Sequence, residues 1–153
     1  MAMALFLLYT GLRSGEVCEL LKVNVDLTNM YLVGGKKTAA GCMRIIPIHP
    51  RIAEFVKARM EEGRAEYLFC GPRGGKLDQK KLQKDFKAIS QKYCGLQHIP
   101  HECRHTFQTR LDMMHADRTS IDLLMGHEPA NRMDKVYSHR SLEALREVIM
   151  LLW

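Results

Sequence analysis

His101-Glu102-Cys103-Arg104-His105-Thr106-Phe107 sets two histidines one helical turn apart with an arginine between them. The stretch follows Pro100, which suits the first turn of a helix, and from there to its end the chain is helical in character. Breaks fall near Ala116-Asp117, at residues 126–129 and at residues 138–141. Working outward toward the N-terminus, Asp78 is placed to cap a basic amphipathic helix that runs to Tyr93, with Leu82, Phe86 and Ile89 on its apolar side. Residues 67–70 read as a short strand stopped by the turn Gly71-Pro72-Arg73-Gly74-Gly75. Pro50 opens another helix, in which Ile52, Phe55, Val56 and Met60 recur at helical spacing as far as Gly63.

Two β-type runs, 30–33 and 44–48, flank the small-residue turn Gly34-Gly35-Lys36-Lys37-Thr38-Ala39-Ala40-Gly41 and read as a hairpin with two lysines at its tip. Residues 14–22 form a short helix with Val17, Leu20 and Leu21 on its apolar side. Residues 1–9 have neither a capping residue nor a polar face, so they read as the middle of a buried helix whose start lies before Met1. The expected fold class is α+β, mostly α: one helical domain over residues 1–153 with a small antiparallel sheet.

A chain of 153 residues buries roughly two thirds of its unfolded surface, enough for a core of its own. Lys and Arg number 23 against 17 Asp and Glu, a formal charge of +6, so polyanions are the first partners to consider. The five cysteines are an odd number without C-x-x-C spacing and read as reduced thiols of a cytoplasmic protein. The apolar opening lacks a basic n-region and reads as neither signal peptide nor membrane span.

Three separated segments carry the residue types that phosphodiester transfer needs: Arg13 after Thr10-Gly11-Leu12, the stretch 101–107, and Leu124-Met125-Gly126-His127 followed by Tyr137. Breaking a phosphodiester takes a nucleophile, neutralisation of two non-bridging oxygens and a proton for the leaving oxygen. Arginine, histidine, lysine and tyrosine supply all three without a metal. A zinc site at His101, Cys103 and His105 is disfavoured, because residues two apart on a helix point to different faces. The hairpin tip lacks the leading glycine and spacer of a phosphate-binding loop.

In order and content these segments resemble the three boxes of the tyrosine recombinases, or phage integrases: Thr10-Gly11-Leu12-Arg13-Ser14-Gly15-Glu16-Val17, then 101–107, then Leu124-Met125-Gly126-His127 with Val136-Tyr137-Ser138-His139. The resemblance covers nearly the whole chain. It implies the helical catalytic fold of DNA breaking-rejoining enzymes, acting as a site-specific recombinase or integrase through a 3′-phosphotyrosyl link. Residue by residue it makes Tyr137 the nucleophile and Arg13 and Arg104 the phosphate clamp. His101 becomes the proton acceptor and His127 a hydrogen bond to the scissile phosphate, with Glu16 and His105 supporting them. Lys37 becomes the proton donor to the leaving 5′ oxygen, with Lys36 as the alternative one residue back.

Lys36, Lys80, Lys81, Lys84 and Lys87 are expected to contact DNA, although a lysine face is equally well a solvated one. No cofactor or metal is expected. The partners implied are double-stranded DNA and three further copies of the chain, assembled as a homotetramer by exchange of a C-terminal helix whose stripe is Leu142, Leu145, Ile149 and Leu152. That stripe equally suits packing on its own core. A preceding DNA-gripping domain is expected outside this chain. Two other classes stay open: a DNA-binding module that recombines nothing, and a type IB topoisomerase-like relaxer with the same chemistry.

Overall fold

The computed structural model describes residues 2–35, 43–63, 65–127 and 141–152. Among them are seven α-helices and a three-stranded antiparallel sheet. Helix α1 (Ala2–Thr10) is apolar almost all round and lies between α3 (Pro50–Glu61) and α5 (Pro100–Met113). Its Phe6 meets Phe69 edge-on at 4.8 Å and Phe55 at 6.4 Å, an aromatic cluster that joins α1 to α3 and to the loop that follows it.

Helix α2 (Ser14–Glu19) is shorter than the expected 14–22. From Leu20 the backbone is extended, because Leu20 C=O accepts from Leu68 N–H and Lys22 N–H donates to Glu66 C=O, both at 2.8 Å. A 3₁₀ turn (Lys22–Asn24) then leads into β1 (Val25–Asp26). The same bonds explain the second departure. The expected strand at 67–70 reduces to two isolated bridges, Leu21 to Tyr67 and Cys70 to Lys76, because Gly71 N–H turns back to Gly75 C=O.

The sheet runs β1, β2 (Tyr31–Gly34), β3 (Arg44–Pro47), with Leu32 opposite Ile46 and Gly34 opposite Arg44. His49 caps α3 by accepting from Arg51 N–H; it lies on the Tyr9 ring at 4.5 Å and bonds the Leu152 carbonyl. Helix α4 (Gln79–Cys94) starts at the Asp78 cap and ends on left-handed Gly95, as its sequence signals require. Of its expected apolar face Leu82 is buried, Phe86 is half-buried and Ile89 is exposed, because this helix stands off α1 and α5 across a groove of about 460 Å³.

Helices α6 (Arg118–Met125) and α7 (Leu142–Met150) complete the domain. Leu145, Val148, Ile149 and Leu152 are buried against β3 and α6, so the C-terminal stripe lies on the core of its own chain. No helix among the described residues is long and apolar enough to cross a membrane.

Candidate active site

Helix α1 ends where Gly11 takes a φ of 61°, a conformation that strains other residues. A Cβ there would sit 2.6 Å from the Phe107 ring of α5, so glycine also permits the close approach of this turn to α5. The turn delivers Arg13 to the head of α2. Glu16, in the first turn of α2, accepts from the Arg13 N–H at 2.7 Å and from its guanidinium at 3.1 Å. The Arg13 side chain remains 42% exposed, while that of Glu16 is 4% exposed. Burial opposes the charge on Glu16, but its bonds to Arg44 and Arg13 outweigh that and hold its pKa below the usual carboxylate value.

Arg104 sits in the second turn of α5 and is almost fully buried. Its Nη1 donates to the Gly11 carbonyl and its Nη2 to the Met125 carbonyl, each at 2.5 Å, and Nη2 lies 3.3 Å from His127 Nε2. One guanidinium therefore touches the Gly11 turn, the end of α6 and His127. Burial, with the neighbouring positive charges of Arg13 and Arg44, lowers its pKa to about 10, so it is still charged at neutral pH.

Helix α6 closes on Gly126, whose φ of 64° turns the chain, and His127 N–H donates back to the Asp122 carbonyl at 2.9 Å. His127 Nδ1 is 3.4 Å from the Asp122 carboxylate. The ring of His127 thus stands between the Asp122 carboxylate, beside Nδ1, and the Arg104 guanidinium, beside Nε2. On α5, His101 and His105 meet edge-on at 4.4 Å, and both face solvent. Burial, then the charges of His105, Arg104 and Arg13, lower the His101 pKa, which keeps the ring neutral and able to take a proton at pH 7. Cys103, between them, faces the core instead.

Of the residues singled out in the sequence, Arg13, Glu16, His101, Arg104, His105 and His127 thus fall in one neighbourhood, at the junction of the α1–α2 turn, α5 and the end of α6. Lys36, Lys37 and Tyr137 lie outside the described residues. Lys80, Lys81, Lys84 and Lys87 are all exposed along α4, with Lys81 paired to Asp85 at 2.8 Å. The start of that helix is tied to α2 by Gln79 Nε2 donating to Ser14 Oγ at 3.0 Å.

Residues 1–143 match the phage integrase family. The chain belongs to that family. It is 35% identical to the tyrosine recombinase XerC of Bacillus subtilis over 157 residues, covering 94% of this chain and 50% of XerC, and so spans about half the length of the curated relatives it matches. The integrase from mycobacterium phage Brujita superposes with a TM-score of 0.79 at 23% identity, covering 99% of this chain and 50% of that one. The Tn1549 transposon integrase, solved in complex with circular intermediate DNA, gives 0.71 at 21% identity over 95% of this chain and 55% of that one.

The integrase boxes by themselves miss one residue, Arg44. Its side chain is 6% exposed and forms a two-pronged ion pair with Glu16, Nη1 to Oε1 at 3.1 Å and Nη2 to Oε2 at 2.9 Å, while Nε donates to the Leu124 carbonyl at 2.7 Å. The signal was in the strand pattern. Period-two alternation puts Arg44 on the same face as buried Ile46, and an arginine on a buried face needs a carboxylate.

Proposed function

We propose that this chain is the catalytic part of a site-specific DNA recombinase or integrase that cuts and rejoins strands through Tyr137. The observation that carries the reading is Arg104. Its guanidinium joins the Gly11 carbonyl, the Met125 carbonyl and His127, so residues from all three boxes share one positively charged spot beside exposed Arg13.

In this mechanism the Tyr137 oxygen attacks the scissile phosphorus and passes its proton to neutral His101. Arg13 and Arg104 neutralise the two non-bridging oxygens as their charge grows, and planar forks suit that better than a lysine point charge. His127 hydrogen-bonds the same phosphate. The bond from phosphorus to the 5′ oxygen breaks, Lys37 gives that oxygen its proton, and a 3′-phosphotyrosyl link remains. A 5′ hydroxyl from a partner strand then attacks phosphorus and releases Tyr137, so the phosphodiester count is unchanged and no ATP is needed.

Double-stranded DNA is the substrate, held in addition by Lys36, Lys80, Lys81, Lys84 and Lys87. Four copies act on two sites. Exchange of α7 between copies remakes in a neighbour the contacts that Leu145, Ile149 and Leu152 make at home, which is why intramolecular packing and exchange are compatible.

The test is a nicked duplex whose cleavage releases a short strand and so traps the covalent complex. The full chain is expected to form a protease-resistant adduct that peptide mapping assigns to Tyr137. An adduct on another tyrosine overturns the nucleophile assignment. Binding without any adduct leaves a DNA-binding module, and plasmid relaxation without strand exchange identifies a topoisomerase-like relaxer.

A further inference from the structure

We infer that Arg44, which lies in none of the three boxes, is a positioning residue of the candidate site: one guanidinium aims Arg13 through Glu16 and pins the turn that carries His127. The inference rests on the strand-transfer reading above.

Its three bonds diverge. Nη1 and Nη2 take both oxygens of Glu16, and Nε takes the carbonyl of Leu124. Glu16 spends its remaining acceptor capacity on the Arg13 backbone N–H and guanidinium. The outward aim of Arg13 therefore depends on Glu16, and the aim of Glu16 depends on Arg44.

The second arm reaches the other side of the site. Two guanidinium groups take the last two carbonyls of α6, for which no backbone partner is found among the described residues: Leu124 by Arg44 and Met125 by Arg104. Gly126 follows directly. A Cβ on it would lie 2.9 Å from Arg44 Nη1, so the guanidinium fills the space under the turn that presents His127.

Strand β3, which starts at Arg44, is by this means fastened to α2 and α6 at once. A lysine offers a point charge and cannot span a carboxylate and a carbonyl in one plane. The prediction is that charge alone is insufficient and the fork is required.

The experiment uses the full chain with two variants, Arg44→Lys and the double variant Glu16→Gln with Arg44→Gln, which removes both buried charges but keeps hydrogen-bonding groups. Adduct formation on the nicked duplex is followed at saturating DNA, with half-saturation, the thermal midpoint, and NMR signals of the Arg13 side-chain N–H and the His127 ring. For Arg44→Lys we expect the saturated rate to fall by about tenfold or more while half-saturation moves less than about threefold, the split expected when an interaction acts in the transition state. The Arg13 and His127 signals should shift together.

The double variant separates positioning from folding. It should regain most of the thermal midpoint, because neither member of the Glu16–Arg44 pair is left charged without the other, yet stay slow. If it regains the wild-type rate, or if Arg44→Lys changes neither rate nor NMR signals, Arg44 is only structural and the inference falls. A wild-type chain that forms no adduct removes the strand-transfer reading, and the NMR signals alone then decide whether Arg44 aims Arg13 and His127.

Discussion

Two basic regions of this chain use their charge in opposite ways. Around Glu16, three arginines are held by carbonyls and a carboxylate: Arg13 partly exposed, Arg44 and Arg104 buried. Along α4, Lys80, Lys84 and Lys87 stand in solvent, and Lys81 pairs with Asp85 on its own helix. A buried guanidinium is costly to desolvate, so it persists only where acceptors fix its direction, and that fixed direction is what a transition state can use. Exposed lysines cost little and are aimed at nothing in particular. They supply attraction for a polyanion and not geometry.

The largest effect that could break this contrast concerns Arg104. Arg104→Ala should slow adduct formation on Tyr137 by at least about 100-fold, whereas Lys84→Ala should leave the rate at saturating DNA within about twofold. Equal losses would mean that the two regions do the same work. Next comes stability. Glu16→Ala strands buried Arg44 without its carboxylate and should cost about 3–5 kcal/mol in chemical unfolding. By contrast Lys81→Ala, which breaks a surface pair, should cost at most about 0.5 kcal/mol.

Salt sharpens the contrast from the other side. If the α4 lysines contact phosphates, each substitution by alanine should reduce the slope of log affinity against log salt by about 0.9 on duplex DNA. An unchanged slope for Lys80, Lys84 and Lys87 together would make α4 a merely solvated face.

The smallest effect is in pH. His49 and His101 both have pKa values lowered below 6.5 in the fold, chiefly by burial. As pH falls below 6.5 the unfolded chain takes up protons that the folded chain refuses, so the stability present above that value declines until the lowered folded values are passed. Glu16, held below 4.5, adds a second loss further into acid, when its folded carboxylate is finally protonated. His49→Asn keeps an acceptor for the Arg51 N–H and removes one titrating ring, so it should flatten the first decline in thermal midpoints measured across pH. A decline identical to wild type would take His49 out of the account.

Local signals carried most of the architecture. Asp78 and Gly95 bracket α4, Pro50 and Pro100 open α3 and α5, and β-type runs on either side of a small-residue turn marked both longer strands of the sheet. These devices act within a few residues, and so they can be read in a linear string. Residues 20–22 and 66–68 could not be read that way, since their backbones bond to each other across more than forty positions of sequence. The exposed side of Ile89 escaped for a related reason: periodicity says which face of α4 is apolar and nothing about how closely α1 and α5 approach it.

The site divides along the same line. By itself the sequence determined which residue types stand at 13, 16, 101, 104 and 127, and in what order, because phosphate chemistry restricts the choice of side chain. Only the tertiary structure decided that Arg104 spans Gly11 and Met125, and that Arg44, across 28 residues from Glu16 and 80 from Leu124, ties the hairpin, α2 and α6 together. A buried guanidinium must find every one of its acceptors in three dimensions, and no periodicity along the chain records where those acceptors are.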